Sequence, residues 1–121
     1  MEYLCEDITR KIIGCAYKVH NTLGSGFLEK VYENALKIEL ERNGLVVEQQ
    51  KQIQVQYEGV VVGHYVPDLL VDSSVVIEIK AVDNIDPVFE AQLLNYLKAT
   101  GLRIGLLINF GPKVTIKRRV L

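Results

Sequence analysis

A strand that is apolar along almost its whole length, Ile104–Phe110, constrains the fold of this 121-residue chain most strongly. A strand of this kind is buried on both faces of its sheet. A helix is predicted just before it, with Asp86 as cap, Pro87 as first helical residue and an end near Thr100. A second apolar strand, Val75–Lys80, precedes this helix. We therefore expect a right-handed crossover between two strands of one sheet, and an α/β protein.

The rest of the chain adds two helices before this unit and shorter strands around it. Apolar residues at helical spacing predict helices from about Asp7 to Leu23 and from about Phe27 to Arg42. The resulting element order is α-α-β-β-β-α-β-β, and the length suits a single domain over residues 1–121. The further predicted strands are Ile53–Tyr57, Val60–Val71 and a basic edge strand, Lys113–Val120.

The cysteines, the N-terminal residues and the apolar runs indicate where in the cell a protein of this kind is expected. The only cysteines, Cys5 and Cys15, lack zinc-site spacing and predict reduced thiols in a cytoplasmic protein. The N-terminal residues lack the basic and then apolar pattern of a signal peptide. No apolar run approaches the roughly 20 residues of a membrane helix, so we expect no membrane partner. Self-association into a homodimer is compatible with so small a domain.

The charges are unevenly distributed along the chain, whose net charge is −1. Residues 97–121 contain six Lys or Arg and no Asp or Glu, so this segment carries +6 and residues 1–96 carry −7. An acidic body can attract a metal ion, and a basic segment can attract anions such as phosphate groups.

Two charged side chains interrupt the apolar strand Val75–Lys80. Glu78 and Lys80 are two residues apart and therefore point to the same face of the sheet. A lone charge on a central strand is costly, so each needs a partner. Asp68 can supply one from the preceding strand, which should bend at Pro67 because proline cannot donate to the ladder. Two carboxylates this close repel unless a proton or a cation lies between them, and Mg²⁺ or Mn²⁺ suits such ligands.

Each of these signals also has a purely structural explanation. A Glu–Lys pair on an exposed sheet face is ordinary. Glu29 shares a helix face with Tyr32, but as the third helical residue after a Gly26 cap it would also complement the helix dipole. Gln92 and Tyr96 share a face of the third helix, which can equally be a solvated side. Spacing alone leaves both interpretations open.

Taken together, these residues resemble the PD-(D/E)XK nuclease superfamily, and most closely its GxxExxY group. The resemblance extends over almost the whole chain, from about residue 8 to residue 119. Each motif is weak alone, but their order and spacing are specific. The motifs are Gly26-Phe-Leu-Glu29-Lys-Val-Tyr32, then Pro67-Asp68 with nine intervening residues before Glu78-Ile79-Lys80, then Gln92-Leu-Leu-Asn-Tyr96, which resembles the QxxxY motif of RecB-type members, and then closing strands around 105–111 and 116–118.

The resemblance implies a restriction-endonuclease-like α-β-β-β-α-β core. Its mixed central sheet would be flanked by helices, with an extra N-terminal helix and a C-terminal edge strand. Lys80 would hold or help deprotonate the attacking water, and Gln92 with Tyr96 would steady the site or the substrate. The implied ligands of a Mg²⁺ or Mn²⁺ ion are Asp68, Glu78, Glu29 and the carbonyl group of Ile79.

The implied activity is metal-dependent hydrolysis of phosphodiester bonds in DNA. Phosphate contacts carry no sequence information, so a small domain without a separate recognition module should show little sequence specificity. The alternative is a catalytically inactive nucleic-acid-binding or assembly module that retains the nuclease fold. The candidate nucleic-acid-binding residues are Lys113, Lys117, Arg118 and Arg119.

Overall fold

The computed structural model describes residues 5–121. Two helices come first, five strands follow them, and a third helix separates these strands from the last two. The elements are α1 (Glu6–Leu23), α2 (Glu29–Arg42), β1 (Val47–Gln49), β2 (Ile53–Tyr57), β3 (Val60–Tyr65), β4 (Leu69–Val71), β5 (Val75–Lys80), α3 (Pro87–Thr100), β6 (Ile104–Phe110) and β7 (Val114–Val120).

Five strands form one mixed sheet in the order β1-β4-β5-β6-β7, and β2 pairs with β3 in a separate two-stranded sheet. Strands β5 and β6 are parallel and are joined by α3, while the other neighbours in the large sheet are antiparallel. The side chain of Asp86 caps α3 by accepting a hydrogen bond from the Val88 amide, at 2.9 Å. The predicted restriction-endonuclease-like α/β fold is therefore confirmed.

The large sheet is covered on both faces, and all seven residues of β6 are buried. On one face of the sheet, Ile77 and the other apolar side chains of that face pack against α1 and α2. Val76 and Leu107 on the other face pack with Leu93 of α3. Because side chains alternate along a strand, Glu78 shares the face of Val76 and points to the α3 side. No helix within residues 5–121 is long and apolar enough to cross a membrane.

Two strand predictions differ from the structure. The predicted strand 60–71 is interrupted, and its halves, β3 and β4, lie in different sheets. The interruption covers 66–68, because Pro67 has no amide hydrogen for the ladder and favours extended, non-ladder geometry in its predecessor. Strand β1 was not predicted, since three residues are too few to show alternation.

Helix α2 begins later than predicted. Glu29 is its first helical residue, and Leu28 rather than Gly26 is in the cap position. The reason is that Gly26 has a φ of 100°, which lies outside the helical region and keeps the chain in a loop. The hydroxyl of Tyr32 fastens this loop by donating to the Gly24 carbonyl, at 2.6 Å, and accepting from the Phe27 amide, at 3.2 Å.

The C-terminal end of β6 is tied to the loop that follows β5. The buried carboxamide of Asn109 accepts from the Val82 amide, at 3.0 Å, and donates to the Val82 carbonyl, at 2.8 Å. Gly111 packs so closely here that an added Cβ would lie 2.4 Å from the Val82 carbonyl oxygen. These contacts hold the chain just beyond Lys80 and therefore position the end of β5.

Candidate active site

Asp68 and Glu78 lie opposite each other where β4 begins. The antiparallel register pairs Leu69 with Ile77, and one more step places Asp68 across from Glu78. Asp68 lies just before the residues of β4 that pair with β5. Its backbone amide donates a hydrogen bond to Glu78 Oε1, at 3.1 Å. Asp68 Oδ2 in turn accepts from the Ile79 amide, at 2.7 Å. Each carboxylate is thus held by the strand that carries the other.

Two stacked tyrosines support Glu78. The buried Tyr65 donates its hydroxyl to Glu78 Oε1, at 3.0 Å. Its ring stacks on the ring of Tyr96, with centroids 3.9 Å apart and planes inclined by 8°. Tyr96 therefore supports the Glu78 carboxylate indirectly, because it stacks on the tyrosine that donates to it. Sequence reasoning missed Tyr65, because the predicted strand 60–71 placed it in mid-strand, although its position two residues before Pro67 was a usable signal.

The Tyr96 ring, rather than its hydroxyl, should matter for this stack. Tyr96→Leu should lower the free energy of unfolding by about 1 kcal/mol, the typical worth of a stacked aromatic pair. Tyr96→Phe keeps the ring and should change the free energy of unfolding little. Urea denaturation of both variants measures the free energy of unfolding. An equal decrease in the two variants would show that the hydroxyl, and not the ring, provides the stabilisation.

A small cleft joins the charged residues of β5 to α3. The Nζ atom of Lys80 lies 4.1 Å from the centroid of the Phe89 ring. Glu78, Lys80, Gln92 and Tyr96 line a cavity of about 20 Å³, which suffices for one water molecule. The structure therefore brings four of the predicted catalytic residues to one place.

Burial and mutual repulsion make the acids of the site reluctant to ionise. Burial raises the pKa of Glu78 to about 7, and the charge of Asp68 adds to the increase, while hydrogen bonds from Tyr65 and the Asp68 amide oppose it. Burial also raises the pKa of Asp68, against the hydrogen bond from Ile79. A pair of this kind is stabilised by a shared proton or by a cation.

These shifts predict a stability that falls with rising pH in metal-free buffer. Between about 4.5 and about 7 the folded protein keeps a proton on Glu78 that the unfolded chain releases, so the free energy of unfolding should decrease, by about 2 kcal/mol. Urea denaturation at about pH 5 and about pH 8 measures it. The decrease should be smaller in Glu78→Gln, and an equal decrease there would contradict the assignment.

Among the described residues, Glu29 is not grouped with Asp68 and Glu78 as a metal-binding set, although its negative charge adds to the raised pKa of Asp68. It is exposed in the first turn of α2, and within the described part of the chain no three His, Cys, Asp or Glu residues are grouped to hold a metal ion. One turn further along α2, the carboxylate of Glu33 is buried and is linked to Asp68 through Gln50. Sequence reasoning missed Glu33 and Gln50, although Glu33 is four residues from Glu29 and so shares its helix face.

The oxygen donors at Asp68 and Glu78 fit a divalent cation. Both side chains are carboxylates, the ligands that hard cations prefer, and burial together with nearby acids raises the pKa of each. Ile79 borders this pair, and its amide is already bonded to Asp68. Of the predicted ligands, the structure therefore brings together the two carboxylates, and the Ile79 carbonyl group stays a prediction.

The four basic residues predicted to contact nucleic acid do not form one patch. Lys117 pairs in register with Leu107, and so shares with Glu78 the sheet face under α3. Arg119 lies on the same face and forms an ion pair with Glu90 of α3. The other two lie elsewhere, Arg118 on the opposite face of β7 and Lys113 in the turn before it.

Residues 6–120 match a family model described as the PD-(D/E)XK nuclease superfamily. The match covers nearly all of the chain, including both acids and the helix that carries Gln92 and Tyr96. No curated protein and no solved structure matches the chain.

Proposed function

This chain belongs to the PD-(D/E)XK nuclease superfamily, and on that premise we propose that it is a metal-dependent nuclease that hydrolyses DNA phosphodiester bonds. The observation that carries the proposal is the pairing of Asp68 with Glu78 across β4 and β5, beside Lys80. Membership of the GxxExxY group and a cytoplasmic location remain predictions from the sequence.

Nucleases of this superfamily typically use divalent metal ions. Asp68 and Glu78 would hold Mg²⁺ or Mn²⁺, which when bound supplies a water of lowered pKa and neutralises charge on the phosphate. The hydrogen bonds from Tyr65 and from the Asp68 amide both go to Oε1 of Glu78. These bonds fix the orientation of the Glu78 carboxylate that would bind the cation.

Lys80 and Gln92 are assigned to the water and the substrate. The ammonium group of Lys80 lines the same cleft as Glu78, so it can donate to the attacking water or to a phosphate oxygen. Its position over the Phe89 ring limits the conformations of its long side chain. Gln92 lines the cleft from α3, and its side-chain amide can orient a bound water or phosphate.

Contacts to the DNA backbone should be few and independent of sequence. Lys117 is exposed on the face of the sheet that carries Glu78, two strands away, or roughly 10 Å at the usual strand spacing. Lys113 is exposed in the adjoining turn. Since phosphate contacts position a duplex without reading bases, we propose little sequence specificity.

A cleavage assay tests this function directly. Wild-type protein and Asp68→Asn, purified in parallel, are incubated with single-stranded DNA, double-stranded DNA and RNA in Mg²⁺, in Mn²⁺ and in chelator. We expect metal-dependent cleavage of DNA by the wild type that Asp68→Asn lacks. Equal residual cleavage by the two proteins would identify a contaminant and overturn the proposal.

The second candidate is a catalytically inactive nucleic-acid-binding or assembly module, and the exposed tip of the β2–β3 hairpin favours its assembly form. Tyr57, Val60 and Val62 at this tip are 66%, 64% and 62% exposed. Clustered apolar side chains of this exposure suit contact with a second copy of the chain. Sedimentation velocity tests it: a dimer in the wild type that Val62→Lys disrupts would support assembly, and a monomeric wild type would exclude a homodimer.

A further inference from the structure

The carboxylate of Glu33 is buried, and none of the sequence motifs includes it. Glu33 is only 3% exposed. Its Oε2 atom accepts from Gln49 Nε2 at 2.6 Å, from Lys30 Nζ at 2.9 Å and from Gln50 Nε2 at 3.1 Å. Burial alone would raise the pKa of Glu33, but these hydrogen bonds outweigh it and lower the pKa. A buried acid with three donors is held as a carboxylate in one orientation.

Gln50 connects this carboxylate to Asp68. The backbone of Gln50 is left-handed, with a φ of 56°, a conformation that persists in a non-glycine residue only where its surroundings hold it. Its backbone amide donates to the Asp68 carbonyl, at 3.1 Å. Its side-chain nitrogen lies 3.1 Å from Glu33 Oε2 and 3.3 Å from Asp68 Oδ1. A side-chain amide nitrogen carries two hydrogens, so it can donate to both carboxylates at once.

We propose that Glu33 is a positioning residue for Asp68 and acts through the side-chain amide of Gln50. This inference rests on the proposed role of Asp68 as a metal ligand. The Asp68 carboxylate lies between two donors, with Gln50 at Oδ1 and the Ile79 amide at Oδ2. The Ile79 donor is fixed by the sheet, whereas the Gln50 donor is fixed by Glu33. Removing Glu33 therefore frees one side of the Asp68 carboxylate.

Glu33, rather than Glu29, is the acid of α2 that serves this purpose. Glu29 is exposed, whereas Glu33 is enclosed by Lys30, by Gln49 at the end of β1 and by Gln50 just after it. Gln49 also donates to Asn34, at 2.7 Å, so the arrangement is anchored to a second residue of α2. An outer group that orients a metal-binding carboxylate typically affects metal affinity 10–100-fold.

The test compares Glu33→Gln and Gln50→Ala with a matched control, Glu39→Gln. Glu39 is a buried acid on the same helix, but it pairs with Lys18 and Arg42. The first measurement is the Ile79 amide proton resonance in metal-free protein, which reports the 2.7 Å hydrogen bond to Asp68. The second is Mn²⁺ affinity by calorimetry.

We expect the Ile79 resonance to move upfield, and Mn²⁺ affinity to fall about tenfold, in Glu33→Gln and Gln50→Ala but not in Glu39→Gln. Glu29→Gln should have a smaller effect than Glu33→Gln on both measurements. If wild-type protein binds no Mn²⁺ while the Ile79 resonance moves as expected, the positioning of Asp68 stands and the proposed metal-dependent function fails.

Three results would overturn the inference. One is that folded Glu33→Gln shows the same Ile79 resonance and the same Mn²⁺ affinity as the wild type. Glu33 would then be only structural, even if its substitution lowers the free energy of unfolding. Another is a larger effect from Glu29→Gln than from Glu33→Gln. The third is a higher Mn²⁺ affinity in Gln50→Ala, which would mean that the amide competes with the cation.

Discussion

Replacing Lys80 by methionine should lower metal-dependent DNA cleavage by about 10²–10⁴-fold, the usual contribution of a positioned proton donor or acceptor. Methionine keeps an unbranched apolar stem beside Phe89 and removes only the ammonium group that lines the cleft. Because Asp68 and Glu78, and not Lys80, are the proposed ligands of the cation, Mn²⁺ affinity should not weaken. The measurements are kcat/KM on a fluorogenic DNA and a calorimetric Mn²⁺ titration of the same preparation.

Lys11→Met is the control for this substitution. Lys11 is exposed on α1, so the change removes the same charge far from the cleft and should leave kcat/KM unchanged. Full activity in Lys80→Met would contradict the role assigned to Lys80. Equal losses in both variants would instead show that cleavage depends only on the overall charge.

Replacing Tyr32 by alanine should lower the free energy of unfolding by about 3–5 kcal/mol, the range for a large aromatic side chain deleted from a core. The Tyr32 ring is fully buried and stacks on Phe110, with centroids 4.7 Å apart. Its hydroxyl also closes the loop before α2 through Gly24 and Phe27. The tyrosine of the GxxExxY motif is thus a structural residue. Urea denaturation monitored by circular dichroism measures the loss.

Two further variants separate the ring from the hydroxyl. Tyr32→Phe keeps the stack and loses only the two hydrogen bonds, so about 1–2 kcal/mol is expected. Tyr57→Ala removes an exposed tyrosine and should cost less than about 0.5 kcal/mol. A loss below about 1 kcal/mol for Tyr32→Ala would contradict the structural role.

The central β-α-β unit was predictable because its signals are local. Asp86 caps α3, Pro87 is the first helical residue and Gly101 ends the helix with a φ of 78°. The apolar strands β5 and β6 flank it directly. Strand β1 was not predictable, since its three residues are defined by pairing with β4 rather than by a pattern of their own.

The site was predictable where strand geometry decides it. Alternation placed Glu78 and Lys80 on one face, and antiparallel pairing placed Asp68 opposite Glu78. Tyr65 and Gln50 were missed because their contacts join residues 13 and 18 positions apart and depend on side-chain conformation.

For the basic C-terminal segment, the prediction used the charges and left out the strand geometry. The same alternation, applied to β7, already separates Lys117 from Arg118, because neighbours on a strand point to opposite faces. A count of charges along the chain overlooks this, and the structure accordingly places Lys117 and Arg119 on one face of β7, Arg118 on the other and Lys113 in the turn before the strand.

A calorimetric titration of Mn²⁺ into wild-type protein, Asp68→Asn and Glu78→Gln tests the central claim most directly. Each substitution keeps the shape of the side chain and removes one of the two carboxylates that face each other across β4 and β5. The wild type should bind Mn²⁺ and both variants should bind it at least about tenfold more weakly. Equal affinity in all three proteins would contradict the assignment of Asp68 and Glu78 as the metal site.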